Sequence, residues 1–67
     1  MKDWRDDVIE FLRKCEDEYF TIDWLSNYFN TTIDVMNDLI EQFEELGMVT
    51  HIKLYINSER LYLYKFL

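Results

Sequence analysis

The stretch of sequence that decides the fold is Thr21–Val49, which reads TIDWLSNYFNTTIDVMNDLIEQFEELGMV. Thr21 and Thr32 can each cap a helix, because a threonine hydroxyl accepts a hydrogen bond from a free backbone N–H in the first turn. Gly47 stands where the longer of the two helices needs a left-handed residue to end. The stretch therefore predicts two helices joined by a turn at Asn30-Thr31-Thr32.

Apolar residues recur at helical spacing in this stretch and in the segment before it. Leu25 and Phe29 are predicted to face the core from the shorter helix. The stripe predicted for the longer helix consists of Met36, Ile40, Phe43 and Leu46. An earlier helix is capped by Asp3 and ended by the like charges of Glu16-Asp17-Glu18. Its predicted stripe consists of Trp4, Val8, Phe11, Leu12 and Cys15.

Extended segments flank these helices. Tyr19-Phe20-Thr21 is aromatic and β-branched, which predicts a brief strand. Val49–Ile56 and Leu61–Phe66 are typical of a hairpin. If its loop has an even number of residues, one sheet face carries Ile52, Leu54, Ile56, Leu61 and Leu63. The other face then carries His51, Lys53, Tyr55, Tyr62, Tyr64 and Phe66. An odd loop would mix the two sets and leave aliphatic side chains in water, so the pattern favours the even loop. We therefore expect the aliphatic face to lie inside and the basic-aromatic face outside.

Length and composition favour one small intracellular domain spanning residues 1–67. An apolar share of 49% is enough to build a core, and the single cysteine excludes an internal disulfide. The charged amino terminus and the lack of a long apolar run predict neither a signal peptide nor a membrane span, which favours a cytoplasmic location. Neither a metal-ligand pair nor a glycine-rich phosphate loop is present, so no cofactor is expected. The only histidine and cysteine lie on different elements, so an enzyme is not expected.

Charge is distributed unevenly along the chain, whose net charge is −7. Residues 21–47 contain no lysine or arginine and six acidic residues, whereas residues 48–67 carry Lys53, Arg60 and Lys65 against Glu59 alone. An acidic surface is repelled by nucleic acid and by anionic membranes. This repulsion does not apply to the carboxy-terminal third of the chain, which has a positive charge balance.

The segment Thr21–Phe29 and the spacing that follows it resemble the winged helix-turn-helix superfamily. The matching residues after Phe29 are Thr32, Met36, Ile40, Phe43 and Leu46-Gly47-Met48-Val49. The resemblance implies a small α+β fold in the order helix, short strand, helix, helix and two-stranded wing. In that family the third helix usually enters the major groove, and the wing touches the backbone or the minor groove. The positions that would face the groove here are Ile33, Asp34, Asn37, Asp38 and Glu41.

Three of those five groove positions are acidic, so we expect binding without catalysis, chiefly to a protein partner or to a second copy. The predicted protein-binding residues are Trp24, Tyr28, Asp34, Val35, Asp38, Leu39 and Glu41. The alternative is a transcription regulator that contacts DNA mainly through its wing, by stacking bases and holding phosphates. The residues predicted for that role are His51, Lys53, Tyr55, Arg60, Tyr62, Tyr64 and Lys65. A charge mimic of nucleic acid is a third reading, and a solvated acidic face or ordinary sheet packing would account for both sets without any function.

Overall fold

Within the described part of the chain, three helices followed by one antiparallel hairpin make up the fold. The computed structural model describes residues 3–15 and 17–67. Its elements are α1 (Trp4–Lys14), α2 (Ile22–Tyr28), α3 (Ile33–Glu45), β1 (Val49–Ile56) and β2 (Glu59–Phe66). Glu16, one of the three charges predicted to end the first helix, lies outside the described residues, as does the start of the charged amino terminus.

Each helix begins at the cap that the sequence predicts. The carboxylate of Asp3 accepts a hydrogen bond from the backbone N–H of Arg5. The hydroxyl of Thr21 accepts one from Trp24 N–H at 3.1 Å, and the hydroxyl of Thr32 accepts one from Val35 N–H at 3.2 Å. These bonds satisfy N–H groups that have no partner within the helix, which fixes where each helix starts.

Helices α2 and α3 end in the same way, with a left-handed residue just beyond the helix. Gly47 has φ 77°, and the N–H of Met48 then bonds back to the carbonyl of Phe43 at 2.9 Å. Asn30 has φ 55° and plays the same part after α2, where Thr31 N–H bonds to Ser26 O at 2.9 Å. Both arrangements close the last turn around otherwise unpaired carbonyls. The predicted helix end at Gly47 is confirmed.

The core lies between the three helices and the base of the hairpin. Its fully buried members are Val8, Leu12, Leu25, Met36, Ile40 and Val49. Leu39 is also buried, at 4% exposure, whereas Leu46 is 72% exposed. The prediction that Leu46 belongs to the core stripe is therefore wrong. The helix stops at Glu45, so Leu46 caps it where the chain already turns away from the core.

The hairpin has a two-residue loop, Asn57-Ser58, which confirms the even loop and the grouping of side chains by face. The side of the sheet that faces the core was predicted wrongly. Val49 is 2% exposed and Tyr64 8% exposed, and both lie on the basic-aromatic face. Because Val49 enters the core directly after the turn at Gly47, strand alternation sends Ile52 and Leu54 to the opposite, open side.

The predicted strand at Tyr19-Phe20-Thr21 is not formed. Phe20 makes a single antiparallel bridge to Tyr64, with both N–H···O distances at 2.8 Å. Thr21 is already the cap of α2, so the extended segment is too short to continue as a strand. The sheet therefore has two strands, and the bridge anchors β2 to the helices.

The hairpin loop offers a direct stability test. Asn57 and Ser58 have φ values of 50° and 68°, as in a type I′ turn, where glycine is preferred at the second position. Ser58→Gly is therefore expected to raise the free energy of unfolding by about 0.5–1 kcal/mol, because glycine removes the left-handed strain. Urea denaturation measures the change. Ser58→Ala keeps the strain and should give no gain, so an equal gain from alanine would contradict the explanation.

Candidate functional site

An aromatic cluster on the outer surface of α1 and α2 is the first candidate site. We call Phe11, Trp24 and Tyr28 the aromatic patch. The rings of Trp24 and Tyr28 stack with centroids 5.0 Å apart and planes at 14°, because the residues lie one helical turn apart. Phe11 joins them from α1, 4.7 Å from Tyr28 and 5.8 Å from Trp24.

The rings of the patch are stacked and yet accessible. Trp24 is 45% exposed and Tyr28 57% exposed, while Phe11 is half-buried beneath them. Stacked rings lose little conformational entropy when a partner covers them, and each ring offers a large apolar area. The patch is therefore an exposed apolar surface whose rings are already stacked.

The two aliphatic residues predicted to extend this surface lie elsewhere. Leu39 packs in the core, so it leaves the set of surface contacts. Val35 is 43% exposed and borders a separate depression together with Trp4, Asp38 and Gln42. The structure therefore stacks Trp24 on Tyr28, whereas Val35 and Leu39 both line the other depression.

The exposed side of α3 is acidic. The exposed acidic residues along this helix are Asp34, Asp38, Glu41 and Glu45. Asn37, the one amide among the predicted groove positions, donates a hydrogen bond from Nδ2 to Glu41 at 3.5 Å. Ile33 is 54% exposed at the start of the helix. This side of α3 thus presents carboxylates and no basic group to a partner.

The basic-aromatic face of the hairpin is partly occupied by contacts within the molecule. The ring of His51 contacts the carboxylate of Glu44 through Nδ1, and Tyr64 is buried. The ammonium group of Lys53 lies 5.6 Å from the ring centroid of Tyr62. Tyr55, 68% exposed, and its cross-strand neighbour Arg60 remain open near the loop.

Lys65 stands apart from the other basic-aromatic residues. It pairs with Thr50 across the hairpin and therefore lies on the aliphatic side of the sheet. Its ammonium group is 5.6 Å from the ring centroid of Tyr19. The seven residues predicted for nucleic acid are thus divided between a buried group, a group paired with other side chains and the open end of the hairpin.

Comparisons by sequence give no match, either to a protein-family model or to a curated protein. A search of solved structures finds a protein from Methanosarcina mazei Go1 described as a "Possible transcriptional regulator". The TM-score is 0.87 at 13% sequence identity, over 100% of this chain and 57% of that chain. The fold is winged-helix-like. At this identity the likeness shows the fold alone, and this chain corresponds to just over half of the other protein.

Three residues at or near these surfaces of the winged-helix-like fold were not predicted as site residues. The spacing of α1 predicts Phe11 as a core residue, and only the ring contacts between α1 and α2 show that it supports Trp24 and Tyr28. The sequence around Tyr19 predicts a strand. Glu44 contacts His51 from another element, and no local spacing in the sequence signals that pairing.

Neither a metal site nor a membrane span is found in the part of the chain that the structure describes. Within residues 3–15 and 17–67, no three His, Cys, Asp or Glu side chains are grouped so that they could hold a metal ion. Across the same residues, no helix has the length and apolar character needed to cross a membrane.

The buried tyrosine at the base of the hairpin makes stability depend on alkaline pH. Burial raises the pKa of Tyr64 above its ordinary value of 10.0, and the carboxylates of Glu44 and Glu41 raise it further. The folded state therefore holds the hydroxyl proton to a higher pH than the unfolded chain does. The contribution of protonated Tyr64 to the free energy of unfolding is complete below about pH 10. It is lost as the pH rises through the folded pKa.

Tyr64→Phe is therefore expected to make the alkaline loss of stability shallower, because it removes the ionisable group while keeping the ring. Urea denaturation at a series of pH values between about 9 and 11 measures the slope. Tyr55→Phe is the control, since folding leaves the Tyr55 side chain 68% exposed. An unchanged slope for Tyr64→Phe would show that this hydroxyl does not carry the effect.

Proposed function

We propose that this protein is a non-catalytic winged-helix binding module that acts in regulation through protein–protein contact. The aromatic patch and the acidic side of α3 are its contact surfaces. Trp24 and Tyr28 supply apolar area, while Asp38 and Glu41 favour a partner with basic side chains. The regulatory role draws on the description of the structurally similar protein from Methanosarcina mazei Go1.

The observation that carries this proposal is the charge of α3. In a winged helix that reads DNA, the third helix lies in the major groove, where base contacts depend on basic neighbours that hold the phosphates. Here the exposed positions Asp34, Asp38 and Glu41 are all carboxylates. Such a helix repels a duplex and attracts a basic protein surface.

The aromatic patch adds the apolar part of the interface. Tryptophan and tyrosine are enriched among the residues that dominate binding energy, especially where they fill a desolvated centre. The stacked pair needs little rearrangement, because its geometry is fixed in the free protein by Phe11. The aromatic patch supplies apolar contact area and the acidic side of α3 supplies charge, and specific protein interfaces combine these two kinds of contact.

The test is capture of partners from the native host with the purified chain as bait. Trp24→Ala/Tyr28→Ala is expected to lose the partner retained by the wild type, because it removes the stacked pair. Tyr55→Ala, which removes an exposed aromatic from the hairpin, should retain it. Far-UV circular dichroism confirms that each variant is folded. Equal recovery by the wild type and the double variant would show that the patch is not the contact surface.

DNA binding through the hairpin is a second candidate, favoured by the open position of Tyr55 and Arg60 near the loop. Lys53 lies on the same face, so two cations and an exposed ring are available there. This function predicts that replacing Lys53 and Arg60 by alanine weakens duplex binding and makes its salt dependence shallower. An unchanged duplex affinity in those variants would exclude DNA binding through the hairpin.

A further inference from the structure

The distal half of the hairpin exposes an aliphatic surface. We call Ile52, Leu54, Ile56, Leu61 and Leu63 the aliphatic face. Leu61 and Leu54 pair across the strands, as do Ile52 and Leu63. Ile52, Leu54, Ile56 and Leu61 are between 37% and 53% exposed. A contiguous apolar patch of this kind on a small protein marks an interaction surface.

The hairpin also needs support that its own base does not give. An isolated two-stranded hairpin is marginal in water unless one face is packed. Near the helices, Val49 and Tyr64 provide that packing. Toward the loop, both faces are exposed, so the strands between Ile52 and Leu63 gain stability from any partner that covers the aliphatic face.

Two opposite charges lie on this same side of the sheet. Glu59 is at the loop end and pairs with Ile56, and Lys65 is at the helix end and pairs with Thr50. They are six residues apart on β2, which corresponds to about 20 Å along an extended strand. Along its length, the open side of the hairpin therefore carries an acidic residue at the loop end, an aliphatic centre and a basic residue at the helix end.

We infer that a second copy of this chain covers the aliphatic face, with the two hairpins stacked face to face and running in opposite directions. The two-fold axis lies between the two sheets, perpendicular to the strands and at the level of Tyr62. It stacks β2 of one copy on β2 of the other, with the two strands antiparallel. Leu61 then faces Leu63 of the other copy, and Glu59 faces Lys65. Both contacts occur twice, as in any isologous interface.

The alternative two-fold axis, parallel to the strands, gives a poorer match. It stacks β1 on β2, so that Glu59 lies opposite Ile56 and Lys65 opposite Thr50. Both charges would then lose water without gaining an opposite charge, which is unfavourable. The charges at the two ends of the aliphatic face thus select the antiparallel arrangement, at the sheet separation of about 10 Å found between packed sheets.

The distribution of charge explains why self-association uses the hairpin. Two chains of net charge −7 repel each other, and the helical part carries that excess. The hairpin is the segment of the chain with a positive balance, from Lys53, Arg60 and Lys65 against Glu59. Contact between hairpins therefore keeps the acidic helices of the two copies apart.

The helix end of the aliphatic face can receive the loop of the other copy. Tyr19, Phe20, Thr21, Trp24 and Leu63 line an open groove there. Lys65 lies beside it, with its ammonium group 5.6 Å from the ring centroid of Tyr19. In the antiparallel arrangement, Ile56 of the second copy faces Thr50, next to this groove.

Sedimentation equilibrium of the purified full chain over a dilution series tests this dimer. The wild type is expected to dimerise, and Leu54→Thr/Leu61→Thr to raise the dissociation constant by about tenfold or more for each leucine that loses its burial. Threonine keeps the strand preference of these exposed positions, so the hairpin should remain folded. Tyr55→Thr, on the opposite face, should dimerise as the wild type does.

Charge exchange tests the direction of stacking. Glu59→Lys and Lys65→Glu should each raise the dissociation constant by about fivefold, since each places like charges opposite one another twice. The double variant Glu59→Lys/Lys65→Glu should restore the affinity.

A wild type that stays monomeric overturns the proposal, as does a dimer that survives the leucine substitutions or a double variant no better than the single ones. A dimer dissociated by Tyr28→Ala, at the exposed patch residue that does not line this groove, overturns it in favour of the aromatic patch, and none of these outcomes depends on the partner of that patch.

Discussion

Replacing Leu39 by alanine is expected to lower the free energy of unfolding by about 2–5 kcal/mol. Leu39 is 4% exposed and packs in the same core as Met36 and Ile40. Removing its side-chain carbons loses their burial and leaves a cavity that the helices fill only in part. Because domains of this size have a total stability of about 5–15 kcal/mol or less, the change is a large fraction of the whole.

Leu46→Ala provides the matched control, since it makes the same chemical change ten angstroms or so further along the helix axis. Leu46 is 72% exposed, so its truncation should alter stability by no more than about 0.5 kcal/mol. Urea denaturation followed by far-UV circular dichroism measures both variants. Equal effects, or a larger effect at Leu46, would contradict the burial of Leu39 and the exposure of Leu46.

The two leucines show how far helical periodicity alone can go. The pattern correctly predicts that Met36 and Ile40 are buried, but an apolar stripe on a helix is broad, and residues at its edges can lie on either side of the boundary. Leu39 falls inside because it joins the core cluster that includes Val8 and Leu12 of α1 and Leu25 of α2. Leu46 falls outside because the chain has already left the helix. Neither fact is contained in the spacing of α3.

Helix ends were predictable for a different reason. A capping threonine or a left-handed glycine acts on backbone groups within one turn, so the chemistry is local and the sequence shows it directly. Thr21, Thr32 and Gly47 all do what their positions imply. The same logic applies to Asn30, which has the conformation of Gly47 after α2.

The hairpin shows where local reasoning ends. Strand alternation predicts which residues share a face, and the register confirms it. The choice of which face is covered depends on the first residue to enter the core, and that residue is Val49. Hydrophobicity favoured the aliphatic side, but the connection from α3 to β1 placed Val49 and Tyr64 inside.

The sequence predicts two of the three residues of the aromatic patch. The spacing of Trp24 and Tyr28 on one helix predicts that their rings meet, because residues four apart are neighbours on a helix surface. Phe11 could not be added from sequence, since it lies on another helix and has the spacing of a core residue. The exposed acids of α3 needed no tertiary information, because no basic residue lies within the helix to neutralise them.

Reversing two of those acids is expected to create duplex DNA binding. In Asp38→Lys/Glu41→Lys, two positions that a winged helix directs toward the groove become able to contact phosphates. Each phosphate contact contributes about −0.9 to the slope of log affinity against log salt. The variant should therefore bind duplex with a slope of about −2, which is roughly a tenfold loss between 50 and 200 mM salt. Fluorescence anisotropy of a labelled duplex measures it.

The control must change the net charge equally at another place. Asp17→Lys/Glu18→Lys does so, because both residues are exposed and lie between α1 and α2. If position matters, the control should gain less affinity and a flatter slope than the α3 variant. If only net charge matters, the two variants should behave alike. Salt-sensitive duplex binding by the wild type would contradict the premise, since it would show that carboxylates on α3 do not keep this winged-helix-like fold from DNA.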